Sequence, residues 1–207
     1  MTSRDQPLKY SIFIADTEEA KQINYRIRHE VYCSQLGYEE ETPAGLETDS
    51  LDKEALHFIV YCNTLKKWIG SSRLVFREDR YLPLEEICEL ENPTLNKDLF
   101  SPLYCEASRF CFIQQRKRDR VNLFMNLLMA MREEAKKKGA LFSYILIKRG
   151  LAKILDRNKV PLRLIGEAVE YRGLRYPYEI DLCAFDHIEE KISLDYSLFS
   201  EKQIELS

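Results

Sequence analysis

Apolar and polar residues alternate through Lys9–Ile14, the pattern of a β-strand with one face buried. Asp16 stands three residues before Glu19, a capping-box spacing that satisfies free amides at a helix start. Ala20, Ile23, Ile27 and Val31 follow at helical spacing, and Gly37 can supply the left-handed stop. Residues 38–54 hold Pro43, Gly45 and three carboxylates, so they read as loop with at most a short helix. Leu56–Cys62 and Trp68–Phe76 are rich in β-formers and read as a hairpin closed by a polar turn over 63–67. Pro83–Leu90 predicts one or two helical turns, and Leu103–Ile113 a further strand. Asp119 can cap a helix over Arg120–Lys138 that Gly139 ends. A short apolar strand at Leu141–Ile147 and a short helix at Leu151–Asn158 follow, then a hairpin of Arg163–Tyr171 and Arg175–Phe185 around Gly173. The order β-α-loop-β-β-β-α-β-α-β-β predicts an α/β fold with a mixed, mostly antiparallel central sheet and helices on both faces. It fits neither a doubly wound nucleotide fold nor a β-sandwich.

Composition narrows the classes. A chain of 207 residues with 45% hydrophobic content can bury one sizeable core. One domain over 1–207 is expected, with its core in about 9–186 and a polar tail over 187–207. A net charge of −3 argues against a general nucleic-acid binder. The six cysteines contain no C-x-x-C pair, and the N-terminus does not read as a signal peptide, so reduced thiols and a cytoplasmic location are expected. The three histidines, His29, His57 and His187, lack zinc-ligand spacing and read as surface or core residues. No metal site and no Ser-His-Asp system is expected. The apolar Val121–Met131 run is about half the roughly 20 residues that span a bilayer, and reads as a buried helix. No G-x-G-x-x-G or Walker sequence is present.

Candidate chemistry lies in Glu47-Thr48-Asp49-Ser50-Leu51-Asp52, then Arg73, then Glu106-Ala107-Ser108-Arg109. Carboxylates can receive the ammonium group of a small zwitterion while arginine receives its carboxylate. The plainer alternative is a solvated acidic loop plus structural ion pairs, with Glu106 pairing Arg109 or Arg73. The acidic loop has few apolar anchors and is expected to be exposed, able to close over an acceptor and exclude water.

The order of elements resembles the GCN5-related N-acetyltransferase (GNAT) fold. Arg28-x-x-x-Tyr32, Tyr38, Glu47-x-Asp49-x-x-Asp52, Gly70-x-x-Arg73-Leu74 and Glu106-x-Ser108-Arg109 resemble, in order and approximate spacing, the acyl-homoserine-lactone synthases that make bacterial signals. The same positions also resemble two sister groups, the long-chain N-acyl amino acid synthases and the exosortase-associated acyltransferases. The run Val169–Tyr178 is closer to the sister groups. Tyr32 and Tyr38 stand where lactone synthases usually carry phenylalanine and tryptophan.

This resemblance implies transfer of a fatty acyl group from a phosphopantetheine thioester to an amine. The thioester is already activated, so a base for the ammonium proton is the main requirement. Glu47, Glu106, Arg73 and Arg109 become the expected catalytic residues. Arg28, Tyr32, Tyr38, Asp49 and Asp52 would bind the acceptor. Phe110, Phe112, Phe124, Met125 and Leu128 would line the acyl chain's path, although core packing accounts for the same residues. Backbone amides beside a splayed strand would hold the oxyanion. The glycine turn that wraps coenzyme A is replaced by Gln115-Arg116-Lys117-Arg118-Asp119-Arg120. Arg116, Lys117, Arg118 and Arg120 therefore suit an acidic acyl carrier protein, whose phosphopantetheine would be the donor arm, with no permanently bound cofactor. The expected activity is N-acylation of an amino acid. The alternatives are a lactone synthase using S-adenosylmethionine and a non-catalytic module that binds a carrier protein or acyl ligand.

Overall fold

The computed structural model describes residues 9–77, 81–91, 104–113 and 117–184, with side chains of the long helix from Arg120 onward. The strands are β1 (Tyr10–Ile14), β2 (Leu56–Cys62), β3 (Lys67–Phe76), β4 (Tyr104–Phe112), β5 (Phe142–Ile147), β6 (Leu162–Leu164), β7 (Val169–Glu170) and β8 (Leu174–Asp181). The helices are α1 (Glu18–His29), α2 (Pro83–Ile87), α3 (Lys117–Lys137) and α4 (Arg149–Arg157). Among the described residues the sheet has the order β1-β2-β3-β4-β5-β8-β6, with β7 pairing β8. β1–β2, β5–β8 and β6–β8 are antiparallel. β4 and β5 are parallel, in a ladder from Tyr104↔Phe142 to Glu106↔Tyr144.

Contacts divide the described residues into two compact units, one within 9–73, 109–113 and 117–131, the other within 74–77, 81–91, 104–108 and 132–184. In the first unit, Phe13, Ala15, Ala20 and Ile59 pack with Ile23, Tyr61 and Trp68. A neighbouring cluster joins Ile27, Val31, Tyr32 and Cys111 to Tyr38, Trp68 and Ile113. α1 starts one residue later than Asp16 implies, because the Thr17 side chain accepts the Ala20 amide at 3.2 Å and places Glu18 and Glu19 in the first turn. At its far end the helix widens into a π-helical segment, Glu30–Gln35. Gly37, at φ +59°, closes it, and the Tyr38 amide reaches back to the Tyr32 carbonyl at 2.7 Å. α3 begins at Lys117, so Asp119 lies inside the helix rather than at its cap. Its run from Leu123 to Met131 is buried except for Asn126, as expected of a core helix.

In the second unit the buried Glu179 accepts from Tyr104 Oη at 3.0 Å and from Arg163 at 2.7 Å. The expected strand Arg163–Tyr171 is two short strands, β6 and β7. Between them Gly166 bridges Leu90, and a Cβ there would meet the Glu89 carbonyl oxygen at 2.5 Å. Only a glycine lets these two backbones approach so closely. We therefore expect Gly166→Ala to lower unfolding free energy by about 1–3 kcal/mol in urea titrations; wild-type stability would mean the contact is not held.

Candidate active site

Helix periodicity places Asn24 and Arg28 one turn apart on the buried side of α1. Asn24 Nδ2 donates to the Phe58 and Ser72 carbonyls at 2.9 and 3.2 Å, tying α1 to β2 and β3. Arg28, fully buried, donates from Nε to Glu47 and from Nη1 to Asp52 Oδ1 at 2.7 Å. Arg73, on β3, donates from Nη1 to Asp49 at 2.5 Å and to Asp52 at 2.6 Å. Arg109, on β4, donates to Asp49 Oδ2 at 2.8 Å and lies 3.3 Å from Glu47. The three guanidinium groups and three carboxylates thus form one network, all within the first unit.

The acidic segment is held by the protein, not left in water. Glu47 is 6% and Asp52 3% exposed, while the Asp49 side chain keeps 27%. The expectation of an exposed acidic loop is therefore corrected: the arginines supply the anchoring that apolar residues do not. The Glu47 amide bonds the Tyr25 carbonyl at 3.2 Å. Asp49 caps a 3₁₀ turn over Ser50–Lys53, accepting the Leu51 amide, while its own amide donates to Asp52 Oδ2 at 2.7 Å. His57 Nε2 contacts the Asp52 carbonyl at 2.9 Å, and the His57 ring packs edge-on against Tyr25. Arg109 takes φ +55°, a left-handed conformation that costs a non-glycine residue about 1–3 kcal/mol and persists only where surroundings impose it. Its guanidinium lies 5.7 Å from the Tyr32 ring centroid.

Burial opposes ionisation of Asp49, but hydrogen bonding to Arg73 and the charges of Arg73, Arg109 and Arg28 hold its carboxyl down at about 2. Burial also opposes ionisation of Asp52, and Arg28 and Arg73 outweigh it, lowering its pKa. Burial lowers the pKa of His57, against the pull of the Asp52 carbonyl and carboxylate. A neutral His57 donates its Nε2–H to that carbonyl.

A family model described as an acetyltransferase (GNAT) domain matches residues 27–127, an interval that contains the whole network. The fold is of the GNAT type. No curated protein sequence matches the chain significantly. Among solved structures, the CoA-dependent acyl-homoserine lactone synthase BjaI with MTA matches with TM-score 0.73 and 14% identity, covering 93% of this chain and 94% of that one. The AHL synthase LasI matches at 0.65 and 14% identity, over 84% and 90% of the two chains. FeeM, an N-acyl amino acid synthase from uncultured soil microbes, matches at 0.61 and 11% identity, over 85% and 92%. The shared feature is the fold.

Within this fold, Tyr32 and Tyr38 are brought together, ring centroids 6.4 Å apart. Phe110 and Phe124 pack as a tilted ring pair with centroids 4.7 Å apart, and Phe112 packs where Gly70 leaves no room for a side chain. Met125 and Leu128 are buried in α3. Glu106 belongs to the second unit, buried, and accepts the Leu84 amide at 2.7 Å. Arg120 is exposed; Arg116 and the side chains of Lys117 and Arg118 lie outside the described residues. Sequence reading missed His57 and Tyr25 as supports of the acidic segment. The available signal was the polar pair Asn24 and Arg28 inside the apolar stripe of α1.

The titrations give a pH dependence of stability. His57 has a folded pKa below its ordinary 6.5, so acidification favours the unfolded chain once pH drops below that value. Asp49 has a folded pKa of about 2 against an ordinary 3.8, so its contribution is complete above about pH 4 and is lost as pH falls toward 2. For Asp49 this amounts to about 2 kcal/mol. Urea midpoints should therefore decline from pH 7.5 to 5.5 and again below pH 4, and His57→Phe should remove the first decline. A flat profile between pH 7.5 and 5.5 in the wild type would contradict a buried neutral His57.

Proposed function

We propose that the chain is an N-acyltransferase that moves a long-chain fatty acyl group from an acyl carrier protein thioester to the α-amine of an amino acid. The observation that carries this reading is Asp49, the most exposed carboxylate of the network, held between Arg73 and Arg109. Its negative charge suits the acceptor's ammonium, and Arg109 beside it suits the acceptor's carboxylate. Tyr32, which lies against that arginine, and Tyr38 beside Tyr32 serve as acceptor-side walls. The GNAT domain and the FeeM fold likeness support the acyl-transfer class.

In this reading the acceptor docks as a zwitterion. Asp49, whose carboxyl is held well below the usual range and is ionised at neutral pH, orients the ammonium but does not keep its proton. Glu47 takes that proton, directly or through water. The free amine attacks the thioester carbonyl carbon, the C–S bond breaks, and the phosphopantetheine thiolate leaves and is protonated. Backbone amides along β4 stabilise the oxyanion. The carrier protein is received by Arg116, Lys117, Arg118 and Arg120, and the acyl chain runs along Phe110, Phe112, Phe124, Met125 and Leu128.

The direct test incubates the protein with acyl carrier protein loaded with a long acyl group and a pool of amino acids, identifying products by mass. An N-acyl amino acid is expected. An acyl-homoserine lactone formed only with S-adenosylmethionine would select the lactone-synthase reading, and no product from folded protein a non-catalytic module. Arg109→Ala and Asp49→Asn should each lower kcat/KM by at least about 100-fold with circular dichroism unchanged. Arg73→Ala leaves Asp52 and Asp49 without one partner, so it should also cost about 3–5 kcal/mol of stability. Full activity in Asp49→Asn would remove the acceptor site from this network. Reversing Arg116, Lys117 and Arg118 to Glu should raise KM for the carrier protein and weaken its salt dependence; an unchanged KM would move the docking surface elsewhere.

A further inference from the structure

In the second unit, the N-terminal end of α4 and the turn between β7 and β8 share an unusual surface. Leu174 is 52% exposed and Leu164 53%. Register places them on one face: Leu164 is opposite Tyr178, and Leu174, Tyr176 and Tyr178 alternate along β8 toward the same side. Tyr176 and Tyr178 are half-buried there. Cations border the face. Arg149 lies 5.6 Å from the Tyr176 ring centroid, and Arg172 5.0 Å from that of Tyr171. Lys148 lays its ammonium 3.5 Å from where a Gly173 Cβ would stand. The turn itself is built with positive φ at Arg172 and Gly173, which lifts Leu174 beside these cations. Among the described residues of β7 and β8, the acidic group on the same side is Glu170, paired with Leu174. The first turn of α4 carries no acidic residue to offset Lys148 and Arg149.

We propose that this face is a peripheral docking surface for an anionic lipid bilayer. Exposed leucines can enter the boundary between headgroups and acyl chains, tyrosines have an apolar ring and a polar tip suited to that boundary, and Lys and Arg meet anionic headgroups. Each cation near such a surface strengthens binding about fivefold, by an attraction that salt screens. Two half-exposed leucines beside ring-stacked cations favour a bilayer over an acidic protein, which the cations alone would serve. The inference does not rest on the acyl-transfer reading, although an acylated amino acid would partition into the same bilayer.

The test is co-sedimentation of the full chain with vesicles of phosphatidylcholine alone or mixed with phosphatidylglycerol. Binding to the mixed vesicles alone is expected, and it should fall with added salt. Arg149→Glu together with Arg172→Glu should weaken it at least roughly tenfold. Leu174→Ser should weaken it severalfold, with circular dichroism and acylation of soluble acceptor unchanged. Failure to bind mixed vesicles, or binding indifferent to Leu174→Ser and to the charge reversals, would overturn the proposal. Retention on immobilised acyl carrier protein, lost in the same variants and without vesicle binding, would overturn it in favour of an acidic protein partner.

Discussion

The Arg28 guanidinium is removed from water entirely, and its pairs with Glu47 and Asp52 make that burial tolerable. An isolated buried charge costs several kcal/mol, so each group here requires the others in place. Arg73 extends the chain of pairs to Asp49, and Arg109 completes it from β4. The charges sum to zero, which lets a polar site exist inside an apolar unit without an unpaired ion. Such a network contributes modestly to net stability compared with an apolar core. It does fix the relative positions of the acidic segment, β3 and β4, each of which supplies at least one member.

The backbone shows how much the surroundings impose. Arg109 keeps a left-handed conformation inside a strand, and α1 widens into a π-helical segment where it carries Tyr32. Both irregularities bear on side chains that meet at Arg109. Departures of this kind cluster where structure serves chemistry. His57 and Tyr25 also secure the acidic segment, one through the Asp52 carbonyl and one through the Glu47 amide. The segment is thereby fixed by main-chain contacts as well as by charge.

Much of this was legible in the chain. Alternation at Lys9–Ile14, the β-rich runs around Asn63–Lys67 and the long apolar stretch after Asp119 gave the strands and helices nearly in place. What escaped were features that depend on tertiary contact. Thr17 displaces Asp16 as the cap because its hydroxyl happens to face the Ala20 amide. The break between β6 and β7 follows from Gly166 meeting the Glu89 backbone, a partner far off in sequence. The acidic segment looked solvated because charged residues usually are; only Asn24 and Arg28, polar residues inside an apolar stripe, hinted that cations waited underneath. The spacing of Glu47, Asp49, Asp52, Arg73 and Arg109 identified the members of the site without showing which carboxylate each arginine holds.

The central claim is that these charges act as one unit and present Asp49 to the acceptor. A double-mutant cycle on Arg109→Gln and Asp49→Asn, read both in unfolding free energy and in kcat/KM for acylation, measures that directly. A coupled unit predicts interaction energies of about 0.5–3 kcal/mol in both readouts. Changes that add independently in both would contradict it.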